Sequence, residues 1–249
     1  MSVRLAARGV RAVLLDIEGT TTPIAFVHDL LVPYARAHLG AWLDHAAGSA
    51  AFTSLARQLA EEHAADRTRG EAVPHWRAGT IAATRASMGA YAGWLMDRDR
   101  KSPALKHLQG LIWELGYQAG QLRGEVFADV PVAMRRWREG GATIAIFSSG
   151  SELAQQRLFQ STPYGDLTSL ISRFFDTAVG PKRDAASYRR ITTELGHAPG
   201  DILFVSDVVD ELAAADAAGQ QTALALRPGN PVQSGATRFA AIHTFDELD

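Results

Sequence analysis

Four short apolar runs, residues 12–15, 142–147, 201–205 and 221–226, set the terms for this fold. They lack the in-and-out alternation of a strand with one wet face, so they read as strands buried on both sides, the pattern of a parallel sheet. Helical patterns fill the later connections, at residues 151–160, 185–195 and 211–218, and Gly219 suits the end of the last helix. Strands alternating with helices predict an α/β fold built on a doubly wound parallel sheet.

The first two runs are separated by a stretch from about residue 24 to residue 129 that is too long for an ordinary crossover. Within it, apolar residues recur at helical spacing in Leu30-Leu31-Tyr34-Leu39-Trp42-Leu43, in Phe52-Leu55-Leu59 and in Leu105-Leu108-Ile112-Leu115. The expected organisation is a core domain of residues 1–24 and 125–249, with residues 25–124 forming an inserted all-helical cap domain. Residues 124–131 would return the chain to the core, and the charged run 97–101 reads as a loop or a solvated helix end. At 249 residues the chain can bury a core in each part.

Composition removes several classes of function. A formal net charge of −2 offers no positive field for nucleic acid or an anionic membrane. Without cysteine there is no disulfide, thiolate zinc site or cysteine nucleophile, and any metal must be held by oxygen or imidazole. Residues 1–9 carry Arg4 and Arg8 but no apolar signal-peptide core, and no apolar run is long enough to span a bilayer. A soluble, cytoplasmic protein is expected. Its only asparagine, Asn230, precedes Pro231 and is no glycosylation acceptor.

The first strand ends in Asp16-Ile17-Glu18-Gly19-Thr20-Thr21-Thr22, which places two carboxylates where an open α/β sheet has its ligand crevice. An acidic turn alone would explain them, but three further strand ends supply complementary chemistry. Ser148-Ser149-Gly150-Ser151 follows the second strand and offers hydroxyls and helix-entry amides to phosphate oxygens. After Phe174-Phe175-Asp176 comes Gly180-Pro181-Lys182. The chain has 22 arginines and 3 lysines, so a lysine here suggests a task suited to a compact ammonium, such as bridging a phosphate and a carboxylate. The run Ser206-Asp207-Val208-Val209-Asp210-Glu211 clusters acids beyond the third apolar run; a helix N-cap would explain one of them, and a magnesium site explains the clustering.

This order, D-x-(D/E)-G-T, then strand plus Ser, then Lys, then S-D with further acids, resembles the four motifs of the haloacid dehalogenase superfamily. More narrowly, Asp16 through Ile24, Lys106-His107-Leu108-Gln109-Gly110-Leu111-Ile112-Trp113, Phe147 through Ser151 and Ser206-Asp207-Val208 are similar to the enolase-phosphatases of methionine salvage, over nearly the whole chain. The resemblance implies an enzyme that converts 2,3-diketo-5-methylthiopentyl 1-phosphate to the acireductone 1,2-dihydroxy-3-keto-5-methylthiopentene, with one magnesium ion per subunit and a small phosphorylated molecule as its partner. A monomer is expected.

On that resemblance Asp16 is the nucleophile, and magnesium is held by Asp16, the backbone carbonyl of Glu18 and Asp207. Lys182, Ser148 and Ser149 bind the phosphate. Glu18 departs from the aspartate that most phosphatases of the superfamily carry; it is expected to protonate the leaving group and to move the enolisation proton. His28 reads as the start of a helix, and Lys101 and Lys106 as surface residues that could instead face the diketone from the cap, acting as a lid over the site. Trp42, Trp76, Trp94 and Trp113 read as bundle core. Two other readings remain open at this point: a phosphomonoesterase of the same superfamily acting on another metabolite, and a phospho-accepting signalling domain, which would have no need of a helical insert.

Overall fold

The first strand, β1 (Ala12–Leu15), is wholly buried and pairs on both sides with parallel strands, which is why it contains no polar residue at all. The computed structural model describes residue 5, residues 8–100 and residues 102–249. Its remaining strands are β2 (Thr143–Phe147), β3 (Arg173–Phe175), β4 (Ile202–Ser206), β5 (Gln221–Ala225) and β6 (Ala241–Ile242). All six pair in parallel, in the order β3-β2-β1-β4-β5-β6. The order runs outward from β1 in both directions, the reversal that makes a doubly wound sheet and opens a crevice at its carboxyl edge. The expected α/β class is therefore what forms, with β3 and β6 added at the edges.

The chain divides into two compact units, Met1–His28 with Gly120–Asp249, and Asp29–Ala119, where the sequence reading placed the cap at 25–124. In the sheet-containing unit, α5 (Asp129–Glu139), α6 (Glu152–Gln160), α7 (Ala185–Leu195) and α8 (Val209–Ala217) follow the strands. One face of the sheet buries Leu14, Phe204 and Leu224 against Tyr188, Ile191 and Leu212. Pro131 lies in the first turn of α5, where its missing N–H has no intrahelical partner to lose.

The helical unit holds α1 (Val32–Ala46), α2 (Ala50–Thr68), α3 (Ile81–Asp97) and α4 (Pro103–Gln118), preceded by a π-helical turn, Phe26–Leu31. Ser49, Thr80 and Ser102 cap α2, α3 and α4, each hydroxyl accepting from the amide three residues on. Trp42 and Trp94 are buried in this unit's core, and Trp76 and Trp113 pack against it. Among the described residues no helix is long and apolar enough to cross a membrane.

Candidate active site

Register places the chemistry. Leu15 pairs with Ile146 on one side and Val205 on the other, so Asp16 leaves the sheet level with Phe147 and Ser206. Its amide donates to Val205 O at 3.0 Å, which holds it against β4. The chain then turns sharply. The amides of Thr20, Thr21 and Thr22 all return to Ile17 O, and the Thr21 hydroxyl reaches Asp16 O and Ile17 O. Gly19 sits at φ 71°, and a Cβ there would stand 2.5 Å from Asp207 Oδ2, so conformation and space both demand glycine.

Asp16 is 3% exposed. Its Oδ1 accepts from Lys182 Nζ at 2.6 Å and from the Ile17 amide at 2.8 Å, and Ser206 Oγ lies 3.3 Å from Oδ2. Lys182 is delivered by a loop fixed at both ends. A Cβ on Gly180 would run into Ser187 Oγ, that hydroxyl donates to Pro181 O, and Tyr188 donates its hydroxyl to Lys182 O at 2.7 Å. The ammonium also contacts Glu211 Oε2 at 2.7 Å, and Ser206 Oγ lies 3.0 Å from the same oxygen. Lys182 thus bridges two buried carboxylates from different strand ends.

Burial works against the Lys182 ammonium, but the charges of Asp16 and Glu211 outweigh it and hold its pKa above the usual lysine range. The acids move the other way. Burial pushes Asp207 up to about 7, helped by repulsion from Asp16 and Glu211 and opposed by Lys182. Glu211 is raised as well, by burial first and by Asp16 next, against the pull of Lys182. Three carboxylates face one ammonium, a formal excess of two negative charges in a buried site.

That excess is what a divalent cation would offset, and a set of hard oxygens suits magnesium. Among the described residues no three acidic or histidine side chains group into a metal cage.

The other expected residues fall as follows. Ser148 is buried, its Oγ accepting from the Gly150 amide, while Ser149 is exposed and Ser151 caps α6. Gln155 ties this serine loop down by donating to Gly150 O and Phe175 O, both at 2.8 Å. Glu18 keeps its side chain 42% exposed, with Oε1 3.7 Å from His28 Nε2. Lys106 lies in α4, and Lys101 falls outside the described residues.

The sequence alone does not distinguish the acids after Asp207, and the structure separates them. Asp210 points to the surface beside Arg183, whereas Glu211 turns inward to Lys182. The signal was present in the helix: Glu211 precedes the buried Ala214 and Ala215 of α8 by three and four residues, which puts it on the inward face.

The chain is similar to known proteins over nearly its whole length. The sequence model of the haloacid dehalogenase-like hydrolases matches residues 10–219. The enolase-phosphatase E1 of Sorangium cellulosum is 47% identical, over 98% of this chain and 99% of that protein, and that of Synechococcus elongatus is 48% identical, over 96% and 98%. A probable bifunctional methylthioribulose-1-phosphate dehydratase/enolase-phosphatase E1 of Arabidopsis thaliana is 41% identical over 96% of this chain, which spans 48% of the plant protein. Among solved structures, the UTR4 protein of Saccharomyces cerevisiae superposes with a TM-score of 0.72 at 30% identity, covering 94% of this chain and 98% of that one.

Proposed function

Because the chain belongs to the haloacid dehalogenase-like hydrolases, and within them to the enolase-phosphatases, we propose that Asp16 is its nucleophile and that Lys182, Glu211, Ser206 and Asp207 prepare it for phosphoryl transfer. The protein is a phosphoric monoester hydrolase of methionine salvage, converting the diketone phosphate 2,3-diketo-5-methylthiopentyl 1-phosphate to the acireductone and phosphate. The observation that carries the residue assignment is the Asp16–Lys182–Glu211 bridge, in which side chains from three strand ends meet at 2.6 and 2.7 Å.

Phosphoryl transfer of this kind is mostly positioning and charge. The Asp16 carboxylate bonds to phosphorus as the bond from phosphorus to the substrate's C1 oxygen breaks. Lys182, held in place by Tyr188 and Glu211, draws on the phosphoryl oxygens, and the Ser148 and Ser149 hydroxyls bind those oxygens on the neighbouring strand end. Water then attacks the aspartyl phosphate, releasing phosphate and restoring the carboxylate. Glu18, with its carboxylate half-exposed, serves as the acid for the leaving oxygen and carries the proton of the enolisation, with His28 beside it as a partner for that proton. Enolisation comes first, so the leaving oxygen belongs to a conjugated enediol and needs less help than an alkoxide would.

A magnesium ion held by Asp16, the Glu18 carbonyl and Asp207 would supply the positive charge that lets an anionic carboxylate meet an anionic phosphoryl group. The helical unit Asp29–Ala119 is read as the cap domain.

The deciding experiment incubates the protein with the diketone phosphate, with and without EDTA, and records phosphate and acireductone absorbance together. Both products should appear, and both should stop when the metal is removed. Phosphate without the enediol would make the protein an ordinary phosphomonoesterase. Glu18→Gln should slow both steps; wild-type rates for both would remove Glu18 from the mechanism.

A further inference from the structure

The chain's single asparagine, Asn230, has no part in the chemistry above. It closes the turn Arg227-Pro228-Gly229-Asn230, in which the Asn230 amide donates to Arg227 O at 3.1 Å and Gly229 adopts φ 87°. Proline in second place and a left-handed glycine in third fit a type II turn. This turn follows β5, next in the sheet to the strand that ends in Ser206.

Arg227 anchors the turn. It is 5% exposed, its guanidinium carbon lying 4.6 Å from the Phe127 ring centre and 4.5 Å from that of Phe245. Its Nη1 donates to Asp129 Oδ2 and His243 O, and its Nε donates to Thr20 O at 3.0 Å. Three residues on, Asn230 Nδ2 donates to Gly19 O at 2.8 Å and Ala225 O at 3.1 Å. Three further on, Gln233 Nε2 donates to Asp207 O at 2.6 Å while its Oε1 accepts from the Val209 amide at 3.0 Å. One short segment therefore grips Gly19 and Thr20 of the nucleophile turn and Asp207 and Val209 of the acidic turn.

We infer that residues 227–233 are a positioning clamp, which sets the spacing between the Asp16 turn and the Asp207 turn through their backbones. The site needs one. Asp16, Asp207 and Glu211 repel one another, and the bare Cα of Gly19 is what lets Asp207 approach the nucleophile turn, so the charges of the two turns favour their spreading. A displacement of about 1 Å at a reacting centre costs on the order of 100-fold in rate. Side chains that hold backbone carbonyls from outside the cluster resist that displacement without adding charge to it. Asn230 and Gln233 divide the work: the first acts on the turn that presents the nucleophile, the second on the turn that presents an acid for the metal.

The inference rests on reading Asp16 and Asp207 as the working site, and the test separates the two. Arg227 is so enclosed that replacing it would probe folding, so the variants are Asn230→Ala and Gln233→Glu in the full-length protein. Gln233→Glu still accepts from Val209 but loses its donor to Asp207 O. Calorimetric titration with magnesium chloride in the absence of substrate should show its Kd raised about tenfold, with KM for the diketone phosphate within about twofold of wild type. Asn230→Ala should lower kcat about tenfold, again with little change in KM. Both should melt within about 3 °C of wild type. Folded variants with wild-type kcat and wild-type magnesium Kd would overturn the clamp, as would activity losses that only follow the unfolded fraction. Asp16→Asn is measured alongside: if it still turns over, the site assignment is at fault; if it is inactive while both variants behave as wild type, the clamp alone is wrong.

Discussion

Asp66 in the helical unit and Asp207 in the sheet unit are both buried carboxylates, 2% and 7% exposed, yet burial is answered in one and left standing in the other. Around Asp66 the partners are donors and cations. Tyr91 donates its hydroxyl at 2.7 Å, Arg100 contacts it at 2.8 Å while also reaching Glu71 at 3.0 Å, and Arg69 closes a further ion pair. Burial alone would raise the Asp66 pKa, but the Tyr91 hydrogen bond and the two arginines outweigh it and bring the pKa below the usual carboxylate range. Asp207 instead faces Asp16, Glu211 and Glu18, with Lys182 as the opposing charge, and rises to about 7. A cluster that only holds a fold together pairs each acid with cations; the cluster around Asp16 keeps its negative charge in excess, as the proposed site for a metal and a phosphate would.

Asp16→Asn puts this contrast to its hardest test. It is expected to cut turnover on the order of 10⁴-fold while leaving the melting temperature unchanged or higher, because it removes one of three repelling acids. A lower melting temperature, measured by scanning calorimetry, would make the site a structural cluster after all. Asp66→Asn should do the reverse. Breaking a buried ion network costs about 3 kcal/mol, or a fall of roughly 6–12 °C in melting temperature, and turnover of the folded protein should stay within about twofold of wild type.

A third prediction uses pH on the metal-free protein. Because Asp207 and Glu211 have raised pKa values, the folded chain keeps protons that the unfolded chain has released between about pH 4 and 7. Stability in EDTA should therefore fall as pH rises across that window and level off above it. Each tenfold change in proton affinity is worth about 1.4 kcal/mol, so one such group alone, over the two pH units from 5 to 7, should lower the melting temperature by roughly 6–11 °C. Magnesium should restore more of it at pH 7.5 than at pH 5. Asp66, with its lowered pKa, loses its contribution only as pH falls below about 4, so it adds no slope in this range. A flat metal-free profile from pH 5 to 7.5 would mean that the acids of the site are not in excess. The smallest effect belongs to Asp210→Ala, in the same acidic run but paired with Arg183 at the surface: within about 0.5 kcal/mol in stability and no change in kcat. A catalytic defect there would place Asp210 in the site.

Much of the site was legible because strand ends are marked locally: a run of buried residues stops at an acid or a serine. Asp16, Ser148, Lys182 and Asp207 could be picked out from such ends and the loops that follow them. The edge strands β3 and β6, with three and two residues, are too short to show a period. Helix α3 is apolar on most sides, so its sequence carries little directional pattern. The turn at residues 227–230 was not singled out in the sequence, and nothing near Asn230 in the chain tells which carbonyls its amide holds.

Local burial pattern and residue type were enough to set the α/β class, the helical insert and the chemistry available at each strand end. That Lys182 spans Asp16 and Glu211, that Asp210 stays outside, and that Arg227, Asn230 and Gln233 hold the turns together emerged only in the folded chain. Those facts depend on sheet order and register, which bring Lys182 within 2.6 Å of a residue 166 positions away, and such distances are set by packing across the whole sheet and not by any stretch of neighbouring residues.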